Sequence, residues 1–148
     1  MAQRYIVTIS EDNLQETLKR KLIGLPERRS KLAKRIHPGD TIIFYIGKKR
    51  AGYGGPRASV SEFGPVVKVT DEGFFSDILI WNSRSGERFP YRLPISIVLE
   101  GRVKAGDVIP RLKFAQGKEK WGLYFLTGIR EVSEEDCITL LAAIKKKK

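Results

Sequence analysis

The residues most able to do chemistry are sparse in this chain. It holds one histidine and one cysteine. His37 runs into Pro38-Gly39-Asp40, a turn sequence, so it reads as a surface turn residue rather than a switchable acid–base group. Cys137 falls on the apolar stripe of a C-terminal helix and reads as a small buried hydrophobe. A Ser-His-Asp triad would have to recruit the one His, and nothing near it supplies the partners. A single His and a single Cys exclude an internal disulfide and leave no set of His and Cys ligands for a metal. Glu134, Glu135 and Asp136 cluster, but they open a helix, where the dipole favours carboxylates. No catalytic residue, metal or cofactor is expected, and the near absence of Cys fits a reducing compartment.

A glycine-rich basic loop, Gly-Lys-Lys-Arg-Ala-Gly-Tyr-Gly-Gly-Pro-Arg, spans residues 47–57. It lacks the Gly-x-x-x-x-Gly-Lys-Ser/Thr spacing of a phosphate-cradling loop, and a strand rather than a helix follows it. Nucleotide hydrolysis is therefore rejected. Lys48, Lys49 and Arg50 suit a flap on a phosphate backbone, and a merely mobile loop fits equally well.

Charge is more informative. The net charge is +11, and it is concentrated: residues 1–60 carry 13 Lys and Arg against 5 Asp and Glu, while residues 61–144 carry 11 against 12. Such asymmetry makes a local positive field that attracts polyanions. Arg28, Arg29, Lys31, Lys34 and Arg35 form its densest stretch. A solvated basic surface is the plain alternative. Tyr91, Trp121, Trp81 and Tyr53 lie near basic residues, a mixture that suits an unpaired base stacking on a ring while a cation meets phosphate. Core packing is the competing role for each aromatic.

The elements that must position these residues read as follows. Tyr5–Ile9 is a β-branched strand. Ser10 reads as the N-cap of a helix with an apolar stripe at Leu14 and Leu18 and cations at its end. Gly24-Leu25-Pro26 breaks the chain, and a short helix is predicted from Glu27 to Ile36. Strands are predicted over Thr41–Ile46, Ala58–Thr70, Phe74–Trp81 and Phe89–Leu99. Residues 101–120 read as irregular. A helix opens at Ser133 with a capping-box-like start, and Lys145–Lys148 reads as a disordered tail. The length predicts one domain, residues 1–144, with an α+β fold: a strongly curved, mostly antiparallel sheet or barrel with about three peripheral helices. No apolar run is long enough for a membrane span and no signal peptide precedes the first strand, so a cytoplasmic protein is expected.

Several strings in order carry a resemblance. They are Tyr5-Ile6-Val7-Thr8-Ile9, Gly24-Leu25-Pro26, Pro38-Gly39-Asp40 before Ile42-Ile43-Phe44-Tyr45, Phe89-Pro90-Tyr91-Arg92, Leu112-Lys113-Phe114, Lys120-Trp121 with Phe125, and Arg130-Glu131 before Glu135-Asp136. From about residue 4 to residue 144 the chain resembles an EVE domain of the PUA-like superfamily, related to YTH domains. The resemblance implies a PUA-like fold and a non-enzymatic module that binds a modified or flipped-out base in RNA or DNA, with RNA preferred. It implies a base pocket lined by Ile23, Gly24, Leu25, Pro26, Phe89, Tyr91 and Trp121. Phosphate contacts are expected from Arg28, Arg29, Lys31, Lys34, Arg35, Lys48, Lys49 and Arg50. Ile23 stands where such domains often carry Trp, which removes one wall from an aromatic cage. Two rival readings are a hydrolase of modified nucleosides, of the ASCH type, and a module that binds an acidic protein partner.

Overall fold

The computed structural model describes residues 2–49, 59–83, 86–115 and 128–147. Its elements are β1 (Arg4–Ser10), α1 (Glu11–Arg20), β2 (Leu22–Leu25), α2 (Ser30–Ala33), β3 (Thr41–Lys48), β4 (Ser59–Val69), β5 (Phe74–Phe75), β6 (Tyr91–Leu99), β7 (Val103–Lys104), α3 (Ala105–Val108), β8 (Ile129–Glu131) and α4 (Glu134–Lys147). The main strands lie in the order β2-β6-β4-β3-β1-β8, with β5 on β6 and β7 on β4. Most pairs are antiparallel, and β1 runs parallel to β3. The sheet curls into a half-barrel, as the α+β reading predicts, with four α-helical segments among the described residues.

Both faces of this sheet are buried, and β3 shows why. Ile42, Phe44 and Ile46 point to one core with Tyr5, Val7, Leu14, Ala33 and Ile36. Ile43 and Tyr45 point to the other with Ile6, Phe63, Val108, Leu140 and Ile144. Side chains alternate along a strand, so an uninterrupted apolar run fills two cores at once. α1 and α2 cover the first and α3 and α4 the second. Cys137 packs in the second core, and burial raises its thiol pKa.

α1 forms on its expected stripe, burying Asn13, Leu14 and Thr17, and ends at Lys21 in the left-handed region (φ 54°). Ser10 is its N-cap, as expected, with extended backbone, but its hydroxyl makes no capping bond to a helix N–H. The Ser10 hydroxyl donates to the Asp12 carboxylate, which also accepts the Asn13 N–H at 2.8 Å. At the other end of the chain the capping reading agrees with the geometry: Ser133 Oγ accepts the Asp136 N–H at 3.1 Å. Asp136 is also buried, and its carboxylate accepts the N–H groups of Lys113 and Phe114 at 2.8 and 3.2 Å.

Other expectations need correction. The helix over Glu27–Ile36 is instead a 3-10 turn at Glu27–Arg29 followed by the single turn of α2. Arg35 and Ile36 donate to the carbonyls three residues back, so the segment winds tightly and sets Ala33 and Ile36 above one another in the core. Phe74–Trp81 is a strand only at Phe74–Phe75. Beyond it the Asp77 and Ile78 carbonyls accept from the Arg88 and Arg92 guanidiniums instead of from a neighbouring strand. Residues 101–115 are less irregular than expected, holding β7 and α3. α4 runs to Lys147, and Lys145 and Lys146 fall in its last turn, where cations favour the negative end of the helix dipole.

Gly64, in β4, has φ +111°, and a Cβ there would meet the Gly101 carbonyl and lie 3.2 Å from Arg102 Cα. Both obstacles are backbone and cannot rotate away. Gly64→Ala is expected to destabilise the fold by about 2 kcal/mol or more, combining strain with overpacking. A urea midpoint measured beside the wild type checks this.

A charge cluster fastens α1 to the segment after β6. Arg102 donates through Nη2 to Glu11 Oε2 at 2.8 Å and lies 3.5 Å from Glu62. The hydrogen bond from Arg102 is the main cause holding the Glu11 carboxyl below its ordinary pKa. A depressed carboxylate stabilises the fold above its unfolded pKa of about 4.3, and that contribution fades as pH falls through the lower folded value. Wild type is therefore expected to lose more stability than Glu11→Gln between pH 5 and 3, read as thermal midpoints. Parallel losses would show that the pair carries no such linkage.

Candidate functional site

The sheet end formed by β2, β5 and β6 carries an open cleft of about 300 Å³. β6 pairs with β2 through Leu25–Tyr91 and Gly24–Arg92, and with β5 through Phe75–Tyr91 and Phe74–Arg92. Tyr91 and Phe75 meet edge to face with ring centroids 5.6 Å apart. α2 and the turn after it form the facing wall with Ala33, Lys34 and Ile36, and Glu72 lies on the rim. The Lys34 ammonium stands 5.7 Å above the centre of the Tyr91 ring. Tyr91 is half-buried, while Phe74 and Phe75 are 48% and 62% exposed. Among the described residues the other aromatics pack inward, so aromatic edges and faces left to water beside an ammonium stand out.

On the other side of β2, Trp81 is buried against Gly24. A Cβ at Gly24 would sit 2.7 Å from Trp81 Cε3, so only glycine lets the indole lie on the strand. Trp81 Nε1 donates to Thr17 Oγ1 at 2.9 Å, and Phe89 meets the indole edge to face at 6.1 Å. The Arg92 guanidinium stacks over the same indole at 5.1 Å. Arg92 is 2% exposed and donates to the carbonyls of Phe89, Ile78 and Arg88 and to Ser76 Oγ. Burial is the main cause lowering its pKa, and the negative charge of Asp77 opposes the shift. Arg92 thus ties both arms of the 76–90 segment together behind the cleft.

The residues expected to line a base pocket are therefore divided. Tyr91 lines the cleft. Ile23 and Leu25 are buried in the core beneath it, each 1% exposed. Gly24 and Phe89 lie with Trp81, and Phe89 adopts φ 50°. Pro26 is half-buried at the end of β2. Trp121 and Arg50 fall outside the described residues.

Among the expected phosphate contacts, Arg28, Lys31, Lys34 and Arg35 are exposed, and Arg29 is half-buried. These residues follow β2 directly, and Lys34 belongs both to this strip and to the cleft. Lys48 and Lys49 are exposed at the far end of β3, where the Lys49 carbonyl accepts the Asp12 N–H at 3.1 Å. His37 is an exposed turn residue, as expected. Its N–H donates to Asp40, and its Nδ1 lies 3.9 Å from Glu72.

Sequence reasoning missed Phe75, Glu72 and the buried role of Arg92. Two adjacent phenylalanines directly after Asp71-Glu72-Gly73, before any alternation begins, were the available signal for an exposed pair. Arg92 sits in a strand between Tyr91 and Leu93, so its burial follows from tertiary packing alone.

This curled mixed sheet with its helices matches the α+β fold of YTH domains. Across 99% of its length the chain superposes on the Pho92 YTH domain in complex with m6A, covering 85% of that chain with a TM-score of 0.64 at 9% identity. The Zygosaccharomyces rouxii MRB1 YTH domain, in complex with N6-methyladenosine RNA, gives 0.63 at 10% identity over 99% of this chain and 89% of that one. In sequence the chain is similar to a UPF0310 protein of Pyrococcus abyssi, 29% identical over 134 residues, which are 89% of this chain and 92% of that protein. No family model matches.

Proposed function

We propose that the protein is a nucleic-acid-binding module of the EVE type that holds one flipped-out or modified base of a single strand in the cleft at Tyr91. RNA is preferred over DNA, and no chemical step follows binding. The observation that carries this reading is Lys34: its ammonium stands over the Tyr91 ring while its helix turn continues the strip of Arg28, Lys31 and Arg35. A base can stack in the cleft while its flanking phosphates meet cations on one continuous surface. The likeness of the fold to YTH domains solved with m6A and with N6-methyladenosine RNA supports the same class of ligand.

The physical terms are of comparable size. Unstacking a base costs a few kcal/mol and is cheapest in a single strand. Stacking on an aromatic platform returns about 1–3 kcal/mol per base. Phosphate contacts add affinity that falls with salt and carries no sequence information. Tyr91→Ala is accordingly expected to weaken single-strand binding by about 1–3 kcal/mol while leaving its salt dependence unchanged.

Fluorescence anisotropy with short RNA and DNA probes tests the proposal. Each probe is used plain and with methylated adenine or cytosine, at two salt concentrations. Salt-sensitive binding that Tyr91→Ala weakens supports it, and a modified base that tightens binding would name the modification. Equal binding of all probes by wild type and Tyr91→Ala would reduce the site to a generic basic surface.

A further inference from the structure

The cleft carries opposite charges on its rim. Lys34 contributes an ammonium over one ring, and Glu72 contributes a carboxylate. The ion pair seen for Glu72, with His37, is long at 3.9 Å, and both side chains are mostly exposed, 76% for Glu72 and 63% for His37. The Glu72 oxygens therefore remain open to a ligand. The floor between the two charges is apolar, made by Ala33, Ile36 and Leu93. At about 300 Å³ the space lies at the small end of ligand pockets.

A flat ligand seated against Tyr91 would have to present an acceptor to Lys34 and donors to Glu72. Lysine has only donors, and an ionised carboxylate only acceptors. Among the bases, guanine offers O6 as the acceptor and, next to it, the two parallel donors N1–H and N2–H. That pair matches a carboxylate in the bidentate manner that makes charge-assisted hydrogen bonds strong. Adenine and cytosine present one amino group beside a ring acceptor, and uracil presents one imino donor. Each leaves a carboxylate oxygen without its second hydrogen bond.

We infer that the cleft prefers guanine, or a guanine derivative with its Watson–Crick edge intact, with Glu72 reading N1–H and N2–H and Lys34 reading O6. This rests on the reading of the cleft as a base site. It adds a specificity-determining residue, Glu72, outside the segments that the sequence pointed to.

The test uses the full chain and short single-stranded oligoadenylates carrying one central guanosine, inosine or adenosine. Inosine keeps O6 and N1–H and lacks only the 2-amino group. Wild type is expected to bind the guanosine probe about 5- to 150-fold more tightly than the adenosine probe, the range for one good bidentate contact, with inosine between them. Glu72→Gln is expected to abolish most of that preference and to change adenosine binding little. Tyr91→Ala is expected to weaken all three probes together. Equal affinity for the three probes, or a guanosine preference that survives Glu72→Gln, would overturn the inference while leaving the cleft a base site. Three probes bound equally by wild type and Tyr91→Ala, or not bound at all, would overturn the base-site reading itself and the guanine preference with it. Because Glu72 is an exposed turn residue, its replacement is not expected to lower the thermal midpoint, which is measured alongside.

Discussion

Reversing two charges of the basic strip, Arg28→Glu with Lys31→Glu, is expected to weaken single-strand binding at least tenfold at low salt. Both side chains are exposed, so the fold should be unaffected. Arg29 is avoided because it is half-buried and its Nε is enclosed without a hydrogen-bond partner. Each phosphate contact on a single strand contributes about −0.7 to the slope of log K against log salt. Losing two contacts should flatten that slope by about 1.4, before the repulsion from the new carboxylates is counted. Affinity measured between 50 and 200 mM salt reads both numbers. A variant with unchanged slope would place the polyanion footprint elsewhere, for example near Lys48 and Lys49.

The second large effect is on stability. Phe44 is fully buried in the middle of β3, between β1 and β4, and packs in the core with Ile42 and Ile46. Phe44→Ala is expected to cost about 3–5 kcal/mol, since removing a buried ring forfeits its transfer free energy and leaves a cavity. That is a large part of the roughly 5–15 kcal/mol that holds a typical domain folded. The central strand cannot move inward to fill the space, because its other face is engaged with Phe63 and Val66 through Ile43 and Tyr45. Chemical denaturation would show the midpoint falling with little change in slope. A loss near 1 kcal/mol would mean that the half-barrel collapses around the gap.

The contrast between these experiments reflects what the sequence made readable. β1, β3 and β4 were legible because long β-branched runs have few alternatives. α1 and α4 were legible from stripes at Leu14 and Leu18, and at Cys137, Leu140 and Ile144. β2 was not, because Leu22–Leu25 contains a glycine and precedes a proline, which read as a break. Its strand state comes from pairing with β6, a partner about 70 residues away in the chain. The same distance hid the site. Lys34 and Tyr91 were each singled out, but nothing local says that one stands over the other. Phe75 and Glu72 joined them only through the pairing of β5 with β6. The basic strip was readable as charge, whereas its attachment to an aromatic cleft is a property of topology.

The enclosure of Trp81 gives the protein an optical gauge of its own. The chain has two tryptophans, Trp81 and Trp121. With Trp121→Phe, all indole emission would come from a ring lodged between Gly24, Phe89 and Arg92 and hydrogen-bonded to Thr17. Its wavelength should lie to the blue in the resting protein. Any event that loosens the 76–90 segment would let water reach the ring and shift the emission to the red, while a ligand confined to the Tyr91 side would leave the colour unchanged. One spectrum would thus tell which side of β2 a bound strand disturbs.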